Sequence, residues 1–329
     1  MNLSHKTKKT IRIILVIAFY IGLYYVSKGH FEKIKDLDSN KIVISYLPLI
    51  TAILLVPLNW YLESAKWKTS LLPIQKISTR EAINGVLKGI PPSIFTPNRI
   101  GEAIGRPSVL NPENRISGAL ATAYCGLSQM PIMMFCGTIS CLYFKICNIN
   151  LQEANFLVSN WFIITGFTIS IVVLLVYWFP KYTIPFVKKS QTSKGILSKL
   201  QFFCKYDTKQ KSQIILLSLI RYIVYSTQNY LAIRAFGIDI NYLEGLMSVF
   251  LIYAMMSFIP RPALAELGVR CSATVIVLKK YTEDFTSPTI SSIFLWVVNL
   301  LIPALYGVTL YISEKKHKKN SEKIWQNPK

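Results

Sequence analysis

The sequence predicts an all-α polytopic membrane protein, and three observations indicate this class. Of its 329 residues, 52% are hydrophobic and only 16% are charged, whereas an ordinary soluble domain carries about 25% charged residues. The apolar residues gather in runs close to the length that a membrane-spanning helix needs, about 20 residues. The charge gathers in a few basic segments and gives a formal net charge of +21. We therefore expect a single integral membrane domain over residues 1–329, with its membrane core at 13–312.

The residue content excludes or disfavours several other classes of protein. The six cysteines are dispersed without a Cys-x-x-Cys motif, so a disulfide scaffold is excluded. The three histidines fall in different segments, which disfavours a histidine-based zinc or catalytic centre. The sequence also shows no nucleotide-binding loop. We expect no cofactor, no metal ion and no nucleic-acid partner.

Six apolar runs are predicted to be full transmembrane helices. The first, at 13–26, follows four basic residues and lacks a small-residue cleavage site. It is therefore predicted to be an uncleaved span rather than a signal peptide. The other five runs are 42–61, 116–142, 156–178, 213–233 and 290–312.

The distribution of basic residues predicts the orientation of these spans, because basic loops stay in the cytoplasm. The connection 181–211 holds eight Lys against Asp207 alone, and the tail 313–329 holds six Lys against two Glu. The connections 145–155 and 235–244 hold two charged residues each and are predicted to lie outside. The protein is therefore expected in the cytoplasmic membrane, with both termini in the cytoplasm.

The basic connection 181–211 also carries an apolar pattern of its own. Several apolar residues between 196 and 204 fall on one helical face, with lysines around them. This pattern predicts an amphipathic helix that lies on an anionic leaflet. An ordinary solvated basic loop is the alternative.

Two further apolar stretches, 82–96 and 243–278, predict re-entrant hairpins of opposite sense. With the orientation above, both ends of the first stretch fall on the cytoplasmic side and both ends of the second fall outside. Neither stretch can then make a net crossing. Irregular backbone at membrane depth is tolerated only where protein or water covers it. The prolines expected to break the helices are Pro91, Pro92 and Pro97 in the first stretch and Pro260 and Pro262 in the second.

A short pattern of charged residues repeats in the two hairpins. Each hairpin has a proline break, an arginine beside it, a glycine near a glutamate, and a second arginine four residues after that glutamate. At this spacing the glutamate and the second arginine lie one helical turn apart and can pair. A charge at membrane depth costs roughly 2.5–3.5 kcal/mol, so such residues usually face the interior and have a function. The residues of the pattern are Arg99, Glu102 and Arg106 in the first hairpin and Arg261, Glu266 and Arg270 in the second.

The repeated pattern indicates an inverted repeat, with a substrate site where the broken helices meet. Arg99 and Arg261 are interpreted as having no acid at helical spacing, and they are the predicted sites for an anionic group such as a lipid phosphate. The alternative for the Glu–Arg pairs is that each neutralises itself so that a short helix can lie near the interface. Arg221 belongs to a polar stripe that either lines a cavity or forms helix–helix hydrogen bonds. The residues predicted to close the cytoplasmic mouth of such a cavity are Asn59, Glu63 and Lys66.

Three runs of the sequence resemble a known family. WYLESAKWKTSLLP, PNRIGEAIGRPSVL and FIPRPALAELGVR occur in this order and resemble the transmembrane region of lysylphosphatidylglycerol synthases, a family also described as flippase-like. The second run is similar to the family element P-x-R-x-G-E-x-x-R, which matches over 97–102, while the last arginine comes one residue late, at Arg106. The third is similar to P-x-P-G-G-L-G-x-x-E, but alanines replace glycines and Glu266 precedes Gly268.

The resemblance implies a protein that binds lipids and translocates them across the cytoplasmic membrane. The implied lipids are an aminoacylated lipid, another anionic phospholipid or a polyprenyl-linked lipid. In the full-length synthases a separate soluble domain transfers lysine from lysyl-tRNA to phosphatidylglycerol. With only 17 residues after the last predicted span, we expect that domain to be lacking. Two alternatives stay open: a membrane-embedded transferase of the phosphatidylglycerol lysyltransferase type with Glu102 or Glu266 as base, and a membrane partner that docks a separate synthase.

Overall fold

A computed structural model describes residues 43–94, 96, 99–149, 152–182, 203–204, 206–257 and 263–313. Every regular element in these ranges is helical, which confirms the all-α class. The α-helices in chain order are α1 (Tyr46–Leu71), α2 (Thr79–Ile94), α3 (Glu102–Gly105), α4 (Arg115–Ile146), α5 (Asn160–Trp178), α6 (Thr208–Ala235), α7 (Tyr242–Ser257), α8 (Ala263–Leu278) and α9 (Thr286–Trp296). The 3-10 helices are Arg106–Val109, Pro112–Asn114 and Gln152–Val158.

Four described helices are long and apolar enough to cross a membrane, and they coincide with four of the six predicted spans. They are Tyr46–Leu71, Pro112–Ile146, Asn160–Trp178 and Thr286–Ser313. The last one extends α9 through a π-helical turn, Val297–Leu301. Large apolar side chains such as Leu47 and Trp161 lie exposed on these helices, as expected of a surface that faces lipid.

The two other predicted spans have different outcomes. The run 213–233 forms most of α6, a 28-residue helix that is long enough to cross but less apolar than the four above. The run 13–26 lies outside the described residues, as do the tail 314–329 and most of the connection 181–211. Near the end of that connection, Phe203 is buried against the ring of Tyr124, with a centroid distance of 5.0 Å.

Helices α1 and α6 pack antiparallel along much of their lengths and form the centre of the bundle. The contacts across the seam advance by seven residues on each helix, which is about two helical turns. The same face of each helix therefore lies against the other helix along this contact. The hydrogen bonds are from the Ser45 N–H to the Ala235 carbonyl (2.8 Å), from the Gln228 side chain to the Ala52 carbonyl (2.9 Å), and from the Arg221 side chain to the Asn59 side chain (3.0 Å).

The first predicted hairpin is formed by α2 and a short return arm, α3 with the 3-10 helix Arg106–Val109. Two glycines allow the arm to lie directly on α2. A Cβ on Gly101 would come within 2.2 Å of the Pro92 carbonyl oxygen, and one on Gly105 within 2.4 Å of the Lys88 carbonyl oxygen. The two ends of the hairpin also meet, since the Gln75 side chain accepts hydrogen bonds from the N–H of Asn111 and the side chain of Asn114, both at 3.1 Å.

The helix of the first hairpin ends at Ile94, within the predicted break at 91–97, but Pro91 and Pro92 do not themselves end it, because α2 continues through both. Each proline lacks the N–H that would bind the carbonyl four residues earlier, and the last helix covers both of those carbonyls. The Tyr311 hydroxyl donates to the Lys88 carbonyl at 3.0 Å. Gly307 packs so closely over the Leu87 carbonyl that a Cβ would lie 2.3 Å from its oxygen.

The second hairpin consists of α7 and α8, each of 16 residues, which pack against each other. The residues between them, including Pro260, Arg261 and Pro262, lie outside the described ranges. The two described ends lie together, because the Tyr281 hydroxyl after α8 is close to the side chains of Glu244 and Ser248 at the start of α7.

The two hairpins begin near opposite ends of α1. The side chain of Lys68, in the last turn of α1, donates to Thr79 at the start of the first hairpin (3.0 Å). The first turn of α1 instead lies beside the end of α6, through Ser45 and Ala235, and the second hairpin starts a few residues after that point. A 26-residue helix is about 39 Å long, so most of the bundle separates the two starts.

Candidate functional site

Glu63 of α1 is the centre of a buried ion network. Its carboxylate lies 2.8 Å from Lys66 Nζ, 2.8 Å from Arg106 and 3.0 Å from Arg221. The side chains of Glu63, Lys66 and Arg106 are each no more than 5% exposed. The three cations come from α1, the first hairpin and α6, so one carboxylate joins three parts of the bundle. Buried charges of this kind are tolerated only when they are closely paired.

Arg221 is tied to the last helix through two asparagines. Its Nε donates to Asn59 Oδ1 at 3.0 Å, and Asn59 Nδ2 donates to Asn299 Oδ1 at 3.3 Å. Asn299 lies in the π-helical turn, four residues before Pro303, which has no N–H to offer the Asn299 carbonyl. Such turns are frequent at functional sites. Of the two interpretations of this polar stripe, helix–helix hydrogen bonding is the one that these contacts show for Arg221.

The Glu102–Arg106 pair forms as its spacing predicts, and it continues the network into the first hairpin. Arg106 binds Glu102 on one side and Glu63 on the other. Its side chain crosses α2 at Gly89, where a Cβ would come within 2.7 Å of the Arg106 Cγ. Arg106 is only 4% exposed and faces two carboxylates. Its charge is therefore balanced by side chains of the protein itself.

The Glu266–Arg270 pair also forms, at 2.8 Å, in the second hairpin. Arg270 donates in addition to the hydroxyl of Tyr253 at 2.7 Å and to that of Tyr225 at 3.1 Å. Its side chain is 4% exposed. Three partners from α6, α7 and α8 therefore occupy this guanidinium, which fixes α8 against its neighbours.

Arg99 differs from every other cation of the network, because it is accessible and its donors are weakly engaged. Its side chain is 36% exposed, against 19% for Arg221 and 4% for Arg106 and Arg270. Its guanidinium lies 3.8 Å from Glu102 and 3.8 Å from Glu266, beyond ordinary hydrogen-bond reach. Arg99 Nε is itself buried and has no hydrogen-bond partner among the described residues, so the exposure of the side chain comes from its other atoms. The prediction that Arg99 has no acid at helical spacing is wrong, since Glu102 follows it by three residues.

The backbone presents Arg99 at the start of the return arm. Arg99 has φ 57°, a left-handed conformation that costs a non-glycine residue about 1–2 kcal/mol. Two hydrogen bonds hold the turn: the Arg99 carbonyl accepts from the Glu102 N–H at 3.0 Å, and the Thr96 hydroxyl accepts from the Gly101 N–H at 2.7 Å. The turn thus directs the side chain toward Glu266 of the other hairpin.

The described network carries an excess of positive charge. It contains five cations and three carboxylates, an excess of two positive charges. The described ranges contain no group of three or more His, Cys, Asp or Glu residues placed to hold a metal ion. An excess of positive charge attracts anions rather than cations. The members are Lys66, Arg99, Arg106, Arg221 and Arg270 with Glu63, Glu102 and Glu266.

The structure brings together six of the seven predicted site residues. Arg99, Glu102, Arg106, Arg221, Glu266 and Arg270 belong to one continuous network. Arg261 lies outside the described residues, and its role stays a prediction. Sequence reasoning missed the central position of Glu63, which was predicted only to close a cavity mouth. The signal available was that Glu63 is the one acidic residue of α1, with Lys66 one turn later.

The fold and the network define a multi-pass helical membrane protein with a largely buried ion network that carries an excess of positive charge. The family model described as "Lysylphosphatidylglycerol synthase TM region" matches residues 13–307, so the chain belongs to this family. No curated protein and no solved structure matches the chain.

Proposed function

We propose that this protein binds the anionic headgroup of a lipid at Arg99, between the two hairpins, and moves that lipid across the cytoplasmic membrane. The observation that carries the proposal is the position of Arg99. It is the most exposed cation of a buried network, and it stands between acids of both hairpins at 3.8 Å from each. A guanidinium whose donors are only weakly engaged is well suited to a phosphate, which it can bind through two parallel hydrogen bonds.

The arrangement of the helices supports a site inside the membrane. In the proposed topology the four long apolar helices, α6 and the run 13–26 cross the bilayer, and the two hairpins re-enter from opposite faces. Each hairpin has its ends together, as the contacts at Gln75 and Tyr281 indicate. Broken helices that meet near the midplane are the usual site of substrate binding in transporters built from inverted repeats.

The family supports a lipid as the substrate. Its name refers to the synthesis of lysylphosphatidylglycerol, so phosphatidylglycerol and its aminoacylated form are the first candidates, and a polyprenyl-linked lipid is a further one. A separate lipid-modifying synthase is a proposed partner. A transferase within the membrane would need Glu102 or Glu266 as base. Both carboxylates are paired with arginines, and a carboxylate in an ion pair is a poor base toward a substrate.

The test is lipid transport by an Arg99 variant in reconstituted vesicles. Arg99→Gln should reduce the translocation of fluorescent phosphatidylglycerol to the level of protein-free vesicles, because the side chain loses its charge and its fork of donors. Arg99→Lys should restore part of the rate, since lysine offers a point charge instead of a planar fork. The melting temperature in detergent is expected to change little, as the Arg99 pairs are long and partly exposed.

A matched control is available in Arg234→Gln. Arg234 is 37% exposed and is paired with Asp239 at the end of α6, so it resembles Arg99 in exposure but lies outside the network. This variant should transport at the wild-type rate. Wild-type transport by Arg99→Gln would show that Arg99 does not bind the headgroup, and the docking of a separate synthase would then become the better proposal.

A further inference from the structure

Arg99 contacts a carboxylate from each hairpin. Glu102 belongs to the return arm of the first hairpin, and Glu266 belongs to α8 of the second. Each of these acids also has a firm partner of its own, Arg106 and Arg270 respectively. The contacts through Arg99 are therefore the longest in an otherwise tight series of ion pairs. They connect the two hairpins, which among the described residues also contact each other through α2 and α8.

We infer that Arg99 is a latch between the hairpins and that the lipid headgroup opens it by competing with Glu266 for the guanidinium. This inference rests on the proposed function, because it assumes that an anionic headgroup reaches Arg99. It adds that occupancy of the site and separation of the hairpins are coupled. Binding then provides the conformational step that an alternating-access transporter requires.

The geometry favours such an exchange. At 3.8 Å from each carboxylate, Arg99 forms ion pairs that are longer than charge-assisted hydrogen bonds, which are about 2.7–2.9 Å. A phosphate that binds its weakly engaged donors at the shorter distance can displace the carboxylate. The hydrogen bonds that hold the left-handed turn at Arg99, with φ 57°, do not involve the guanidinium. The side chain can therefore change its partner while the turn stays in place.

The consequence of the exchange is a loss of attraction between the hairpins. Without the guanidinium between them, Glu102 and Glu266 are two like charges with no shared counter-ion, and they repel each other. Each acid keeps its partner on its own hairpin, so each hairpin stays intact while the contact between them weakens. The firm ion pairs thus hold the shape of each hairpin, and the long ones determine how the hairpins meet.

Binding of short-chain phosphatidylglycerol to purified protein in mild detergent tests the competition. Phosphatidylcholine of the same chain length is the reference lipid. Glu266→Gln should bind phosphatidylglycerol about threefold to tenfold more tightly than the wild type, because the competitor for Arg99 is removed. Arg99→Gln should lose the preference for phosphatidylglycerol. Glu113→Gln, at an exposed residue outside the network, is the control and should bind as the wild type does.

The distance between the hairpins tests the coupling. Spin labels are placed at Ile104, which is 70% exposed on the first hairpin, and at exposed Lys280 after α8, in a protein whose native cysteines are replaced by serine. Phosphatidylglycerol should lengthen and broaden the distance distribution of the wild type, whereas phosphatidylcholine should not. Glu266→Gln should show the broad distribution without added lipid.

The outcomes separate the latch from the proposed function. Equal or weaker binding by Glu266→Gln, or a distance that phosphatidylglycerol leaves unchanged, overturns the latch while the headgroup site stands. If the wild type shows no preference for phosphatidylglycerol and Arg99→Gln changes nothing, the headgroup site itself is wrong. Should Glu266→Gln not fold, Glu266→Asp takes its place, since it keeps a charge for Arg270 but withdraws the carboxylate from Arg99. It should show a smaller gain in affinity of the same sign, and no gain overturns the latch.

Discussion

Glu63 illustrates how one residue can connect parts of a membrane protein that are far apart in the chain. The charged pattern of each hairpin is visible in the sequence because its members are close in the chain. The partners Arg106 and Arg221 of Glu63 are far away in the chain, and no local spacing reveals them. The pairs Glu102–Arg106 and Glu266–Arg270 could thus be predicted from helical periodicity, whereas their common connection to Glu63 and Arg99 depends on tertiary packing.

The position of Glu63 leads to a prediction about stability. Glu63→Gln should lower the free energy of unfolding by about 3–5 kcal/mol, because it leaves Lys66, Arg106 and Arg221 buried without their shared counter-ion. Thermal unfolding in mild detergent measures the effect. The exposed carboxylate of Glu113 provides the control, since Glu113→Gln should change the stability by no more than about 0.5 kcal/mol. If Glu63→Gln were as stable as the wild type, Glu63 would not be the centre of the network.

At the scale of helices, the two prolines of α2 show where reasoning from sequence is incomplete. A pair of prolines normally ends or kinks a helix because two carbonyls lose their donors. Here the last helix approaches through Gly307 and covers both carbonyls, so α2 continues to Ile94. This compensation comes from residues more than 200 positions later in the chain, and nothing near Pro91 and Pro92 could have predicted it.

The hydrogen bond from Tyr311 offers a direct test of this compensation. Tyr311→Phe should destabilise the protein by about 1–3 kcal/mol, because the Lys88 carbonyl would lose its donor at a buried position. Tyr306→Phe is the matched control, since Tyr306 lies on the same helix and is 54% exposed. The melting temperatures of the two variants in detergent give the comparison. Equal melting temperatures would indicate that Gly307 packing alone supports the prolines.

At the scale of the whole molecule, hydropathy predicted the four long apolar helices well because the bilayer constrains length and composition directly. It was less informative for α6. This helix must present Arg221, Gln228 and other polar side chains to α1, so its mean hydropathy falls although it lies at the centre of the bundle. The hairpins could be located from the distribution of charged residues among the loops and from the positions of the prolines. The packing of the return arm on α2 depends on contacts that only the folded chain shows.

The topology itself gives the final prediction, which uses single cysteines in a background with the native cysteines replaced. Lys76 and Asn111, both exposed, flank the first hairpin. Asp239 and Glu283, also exposed, flank the second.

Suppose that both hairpins re-enter the membrane from opposite faces. A membrane-impermeant thiol reagent should then label cysteines at 239 and 283 in intact cells. It should reach cysteines at 76 and 111 only after the membrane has been permeabilised. The two positions of a pair must behave alike, because each hairpin returns to the side from which it enters. Labelling of one member of a pair without the other would mean that the stretch between them crosses the bilayer. In that case the two hairpins would not form an inverted pair, and Arg99 and Glu266 would have to meet by a different arrangement of the spans.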